Sequence, residues 1–168
     1  CGAGVAFGSQ LVAVRVHNDD SDYSKAASLS RAGGNDAGVY VSSWGSRDDG
    51  SSTERPSQIV FDAMMDAIYR GRGGKGTVFV WPVGNGRLSF DNCNYDGLAN
   101  SPYTITVGSV TYEGDIAPYS EPCAALHVVA PNVGFPGSKG IMTSTVQNRC
   151  MEAQPDTATS AAMVGGVA

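Results

Sequence analysis

PSQIVFDAMMDAIYRGRGGKGTVFVWPVG (Pro56–Gly84) decides the fold class of this chain. Ile59, Val60, Ala63, Met64, Ala67 and Ile68 recur at the three- and four-residue spacing that gives a helix one apolar face. Pro56 suits the first helical turn, where a missing N–H costs nothing, and Gly71 closes the helix. TVFVWPVG (Thr77–Gly84) then reads as a buried strand, short and rich in β-branched and aromatic residues. The turn between them, GRGGKG (Gly71–Gly76), has the spacing of a dinucleotide fingerprint, but that fingerprint needs a strand before it and a helix after it. Here the order is reversed, so the glycines make a helix-to-strand turn.

The same alternation extends outward. LVAVRV (Leu11–Val16) and GVYVSSW (Gly38–Trp44) read as strands, with a helix between them over SDYSKAASLSRAGG (Ser21–Gly34). YTITVGSV (Tyr103–Val110) and ALHVVAP (Ala125–Pro131) add two more strands. Strands alternating with helices predict an α/β fold: a mainly parallel sheet flanked by helices, with ligands at the carboxyl ends of the strands.

A chain of 168 residues buries one core of ordinary size, so one domain or a large piece of one is expected. Hydrophobic residues at 42% and 22 scattered glycines describe a loop-rich globular protein rather than a disordered one. Eleven basic against sixteen acidic residues, net −5, argue against nucleic acid and anionic membranes as partners. No apolar run approaches the roughly 20 residues that span a bilayer, and no targeting segment opens the chain. The start at Cys1 and the end in mid-pattern at Ala168 are those of a fragment, incomplete at both termini, or of a processed piece.

Cys1, Cys93, Cys123 and Cys150 are widely spaced and form no CxxC pair, which argues against zinc. Four thiols and two disulfides are both open, the even count favouring disulfides.

Two short motifs stand where ligands are expected. In WPVGNG (Trp81–Gly86) a strand delivers Asn85 between two glycines, although Asn-Gly is also a common turn pair. In TATSAAM (Thr157–Met163) Ser160 precedes a run of small residues, which is also an ordinary way to open a helix.

Together with SSWGSRDDG (Ser42–Gly50), DNCNYDGLANSPYTITVGS (Asp91–Ser109) and YSEPC (Tyr119–Cys123), in this order and spacing, these motifs resemble the kexin and furin branch of the subtilisin-like serine proteases, the proprotein convertases. The likeness runs from CGAGVAF at the start to TATSAA near the end. It implies a subtilisin-like partial catalytic domain over residues 1–168, secreted or in the secretory pathway, cleaving polypeptides after Arg or Lys as a monomer.

By this resemblance Ser160 is the nucleophile and Asn85 the side-chain donor to the oxyanion of the tetrahedral intermediate. The triad aspartate and histidine are expected upstream of residue 1, since neither His17 nor His127 stands in the motif of a triad base. Asp48 and Asp96 are expected to line the S1 pocket, where two carboxylates engage a basic side chain. Asp48, Asp91 and Glu121 are expected to hold a Ca²⁺ ion, an oxygen-only site. Glu54 would favour a basic residue further upstream in the substrate, and Ser43, Trp44 and Gly45 would offer their backbone edge to it. The resemblance also implies the pairs Cys93–Cys123 and Cys1–Cys150.

Several positions depart from the family pattern: Ala158 replaces a glycine, Met163-Val164 replace Ala-Pro, Arg47 replaces an acid, Leu98 an aromatic, and Pro82-Val83 replace Ala-Ser. The segment from Cys150 to Ser160 is slightly long. The rival reading from another class is a homologue that no longer cleaves and acts as a binding protein. A less selective subtilase and a calcium-stabilised extracellular module without catalytic ancestry are further alternatives.

Overall fold

A computed structural model describes residues 1–16, 21–34, 37–135 and 137–168. The elements run α1 (Asp22–Gly34), β1 (Val39–Val41), α2 (Gln58–Gly74), β2 (Val78–Pro82), β3 (Thr104–Val110), β4 (Val128–Pro131), β5 (Met142–Thr145), β6 (Arg149–Glu152) and α3 (Thr157–Gly165). Strands β1 to β4 form one sheet in that order, parallel throughout.

The sheet is covered on both faces, and β2 shows how the sequence achieves this. Alternate side chains of a strand point to opposite faces. Phe79, Trp81 and Val83 join Leu29 of α1 and Val60, Met64 and Ala67 of α2 in one buried cluster. Val80, between them, packs with Val107 and with Ala161 of α3 in another. An uninterrupted apolar run is what a strand buried on both sides requires.

Helix α2 meets the sequence expectation in its core face and in its close at Gly71, but not at its start. Val60, Ala63, Met64 and Ala67 are buried, whereas Ile59 is 48% exposed. The helix begins at Gln58, with Pro56 outside it and Ser57 extended at the cap position. Gly71 leaves helical geometry, Arg72 and Gly73 adopt left-handed backbone, and the chain closes through the Gly76 N–H on the Gly71 carbonyl at 2.9 Å. Gly76 itself has φ +77°, and a Cβ there would strike the Ile68 carbonyl, so the turn requires glycine.

One expected strand is absent and one unexpected hairpin is present. Leu11–Val16 is not a strand: it lies outside the sheet, with Leu11 91% exposed. A strand is held by its ladder, and among the described residues nothing pairs with this run. Conversely, β5 and β6 form an antiparallel hairpin that carries Cys150, in a stretch whose mostly exposed residues give no buried pattern. The structure bonds Cys1 to Cys150 and Cys93 to Cys123, with Cα atoms 5.3 Å apart in each. Among the described residues no helix is long and apolar enough to cross a membrane.

Candidate substrate cleft

The carboxyl ends of β1 and β2 open into a cleft. Its walls are Ser43–Ser46 and Asp48 after β1, Gly84-Asn85 after β2, Asp96, and Thr157-Ala158 at the start of α3. The Ser42 N–H still pairs with the Val80 carbonyl at 3.0 Å, and the Ser42 hydroxyl then bridges to the Trp44 carbonyl and N–H. This bend leaves Ser43 and Gly45 exposed. Trp44 is anchored edge-on against Trp81, ring centroids 4.6 Å apart.

The acidic residues are drawn together. Asp96 is 6% exposed, and its carboxyl is pushed up to about 6, first by burial and then by the negative charges of Asp91, Asp48 and Glu54. Asp48 accepts the Asn85 backbone N–H at 2.9 Å and an N–H of the Asn85 side-chain amide at 3.4 Å. Asp91 is buried and accepts the N–H groups of Gly50 and Asn92. Glu121 is 2% exposed; its Oε1 accepts the Gly86 N–H at 2.9 Å, and its Oε2 is buried without a hydrogen-bond partner. Burial pushes the Glu121 carboxyl up to about 8, with Asp96, Asp91 and a hydrogen bond to Asp48 adding to the rise.

Gly84 and Gly86 form the hub of this cluster. A Cβ at Gly84, where φ is +101°, would strike Glu121 Oε1 and lie 3.1 Å from Asp48 Oδ1. One at Gly86 would lie 2.7 Å from Asp91 Cβ. Asp48, Asp91 and Glu121 therefore surround the same three residues. Their donors suit a hard cation in kind, and the partnerless Oε2 of Glu121 is a free ligand for one. As they stand, no three such side chains among the described residues are drawn into a metal-binding cluster. Glu54 lies on the segment bridged to Asp96, where its carboxylate faces Arg47 of the same chain at 3.9 Å.

Asn85 and Ser160 do not meet across the cleft. Asn85 Oδ1 accepts both the Thr157 N–H at 2.8 Å and the Thr157 hydroxyl at 3.1 Å, which leaves the amide nitrogen on the cleft side. Ser160 is fully buried. Its hydroxyl pairs with the Ser109 hydroxyl at 2.8 Å and donates to the Ala130 carbonyl at 3.0 Å. The reason is helical geometry: Thr157, Ser160 and Ala161 are buried and Val164 is partly so, and that spacing forms the stripe of α3 that packs on the sheet. The sequence gives Thr157 and Ser109 no role and Ala158 only as a departure from the family pattern, although the spacing of that stripe is visible in it. His127 is no triad base here either, since its Nδ1 accepts the Thr106 N–H at 3.2 Å at the head of β4. His17 lies outside the described residues.

The profile of the subtilase family matches residues 1–168. The chain is 35% identical over 169 residues to furin-like protease 1, isoform 1-CRR, of Drosophila melanogaster, covering all of this chain and 15% of that protein. It is 34% identical to human furin and 36% identical to human proprotein convertase subtilisin/kexin type 4, covering 99% of this chain and 21% and 22% of theirs. The chain thus spans about a fifth of these relatives or less. The epidermin leader peptide processing serine protease of Staphylococcus aureus superposes with a TM-score of 0.75 at 18% identity, over 97% of this chain and 47% of that one. A Pseudoalteromonas arctica protease does so with a TM-score of 0.73 at 23% identity, over 98% and 50%.

Proposed function

Because the chain belongs to the subtilase family, we propose that it builds the substrate-selecting part of a proprotein-convertase-like endopeptidase domain that takes polypeptides at Arg or Lys. The observation that carries this reading is the buried carboxyl of Asp96 at the cleft, with Asp48 beside it. A guanidinium or ammonium group entering there supplies the charge that these carboxylates lack, and charge-assisted hydrogen bonds hold it. The backbone of the exposed Ser43 and Gly45 pairs with the extended substrate, and Trp44 fixes that edge. The Asn85 amide nitrogen gives one N–H to Asp48 and has its second N–H for the carbonyl oxygen of the basic residue.

Asp48, Asp91 and Glu121 hold Ca²⁺ in this proposal, and the ion offsets repulsion beneath the pocket. The support is the oxygen-only donor set and the partnerless Glu121 Oε2. Glu54, paired with Arg47, contributes to an upstream basic preference only when that ion pair opens. The two disulfides support a place in the secretory pathway or outside the cell, where thiols are oxidised. The rival, binding without cleavage, is favoured by one observation, the burial of Ser160.

The test is the affinity of matched peptides ending in Arg, Lys or Leu. Basic peptides are expected to bind at least about tenfold more tightly, and Asp96→Asn to erase the difference, a change of about 1.4 kcal/mol. Equal affinity for Arg and Leu on the unaltered protein overturns the reading.

A further inference from the structure

We propose that Ala158, not Ser160, occupies the place of the nucleophile in this cleft, so that the protein captures a basic polypeptide without forming an acyl intermediate. The inference rests on the reading of the cleft as a site for a basic side chain. An attacking hydroxyl has to project into the cleft beside the donor that receives the oxyanion. The first turn of α3 presents Thr157 and Ala158 beside Asn85, and Ala158 has no hydroxyl. Ser160 follows two residues later, about 200° around the helix, which turns it to the opposite side.

Both ends of this register are fixed. Asp156 caps α3 by accepting the Thr159 N–H at 2.6 Å, and Asn85 holds the Thr157 N–H. The Asn132 side chain donates to the Gln154 and Asp156 carbonyls, tying the approach to the helix. On the far side Ser160 has both its donor and its acceptor satisfied by Ala130 and Ser109. Bringing Ser160 to the cleft means turning α3 by nearly half a revolution, breaking these bonds and lifting Ala161 from the core. Thr157 offers no substitute: its hydroxyl is buried, donates to Asn85 Oδ1 and accepts the Gly84 N–H at 3.2 Å. The slight excess of chain between Cys150 and Ser160 points the same way, since the cleft-facing position comes earlier.

The test uses the full-length protein that carries this chain and a peptide boronic acid ending in an arginine side chain. A serine in the nucleophile's place adds to boron: the O–B bond forms, the hydroxyl proton leaves to solvent, and trigonal boron becomes a tetrahedral anion. The wild type is expected to bind the boronate no more tightly than the matching carboxamide and to leave the peptide uncut. Ala158→Ser is expected to bind the boronate at least about tenfold more tightly than the carboxamide, a difference of about 1.4 kcal/mol. No gain in that variant, turnover by the wild type, or a boronate adduct mapped to Ser160 overturns the proposal. A fluorophosphonate without a side chain reads the hydroxyls independently of the acidic pocket, and its attachment to Ser160 also overturns the proposal. Failure of Arg to outbind Leu strikes the cleft reading alone and leaves the fluorophosphonate result to decide this one.

Discussion

The Asn85 side-chain oxygen and the Thr157 backbone N–H meet at 2.8 Å across 72 residues of sequence, so the loop after β2 sets where α3 begins. The first N–H groups of a helix have no partner inside it, and here one comes from a distant strand end. Asn85→Ala is expected to lower stability by about 1 kcal/mol, as loss of a neutral helix-end hydrogen bond does. Denaturant unfolding measures this, and an unchanged midpoint would show that α3 starts without Asn85.

Recognition of a basic residue should weaken in mild acid. Asp96 titrates near 6, so its charge, the attraction for Arg or Lys, fades as the pH drops through that value. The dissociation constant of an Arg peptide is expected to rise between pH 7 and pH 5, while Asp96→Asn shows a flatter profile. Titration calorimetry at both pH values tests this, with a flat wild-type profile as the contrary result.

Without a divalent cation, stability should fall as the pH rises from about 4.5 to about 8. Glu121 has its ordinary value of 4.5 when unfolded and about 8 when folded, so the folded chain binds the extra proton throughout that window. Stability then declines with pH, because the state that holds more protons loses ground as they are withdrawn. Added Ca²⁺ is expected to raise the melting temperature most at the alkaline end, where the carboxylates are ionised. Melting curves at pH 5 and pH 8, with Ca²⁺ and with chelator, are the measurement, and a curve indifferent to Ca²⁺ at pH 8 removes the ion from this site.

Gly84→Ala should be severe although it adds a single methyl. Its φ of +101° is a glycine conformation, and the new Cβ meets Glu121 Oε1. Backbone strain alone costs about 1–3 kcal/mol. The variant is expected to melt earlier and to lose selectivity for Arg, since Glu121 and Asp48 have to move. Retained stability and selectivity would show that the acids do not depend on this close approach.

The parallel sheet was legible because β2 is apolar without interruption and α2 has one clear stripe, both local properties of the sequence. The acidic cluster was legible through motifs that lie far apart in the chain but close in the fold. The burial of Ser160 was not legible, because a Thr-Ser pair gives identity alone, while the direction of the side chain is set by helical phase, with Thr157, Ala161 and Val164 sharing its side. Leu11–Val16 misled for another reason: β-branched composition states a preference, and only a neighbouring strand realises it. The Cys150 hairpin was illegible because mostly exposed strands carry no burial pattern.

The bond between Cys1 and Cys150 closes a covalent ring over residues 1–150, and the Cys93–Cys123 bond is nested inside it. A single backbone cut anywhere within that ring releases nothing. Clipped and intact molecules then travel as one band on a denaturing gel until a reductant is added. An unreduced band of full size is therefore no sign of an unbroken chain, and the purity of any preparation has to be judged with the sulfurs parted.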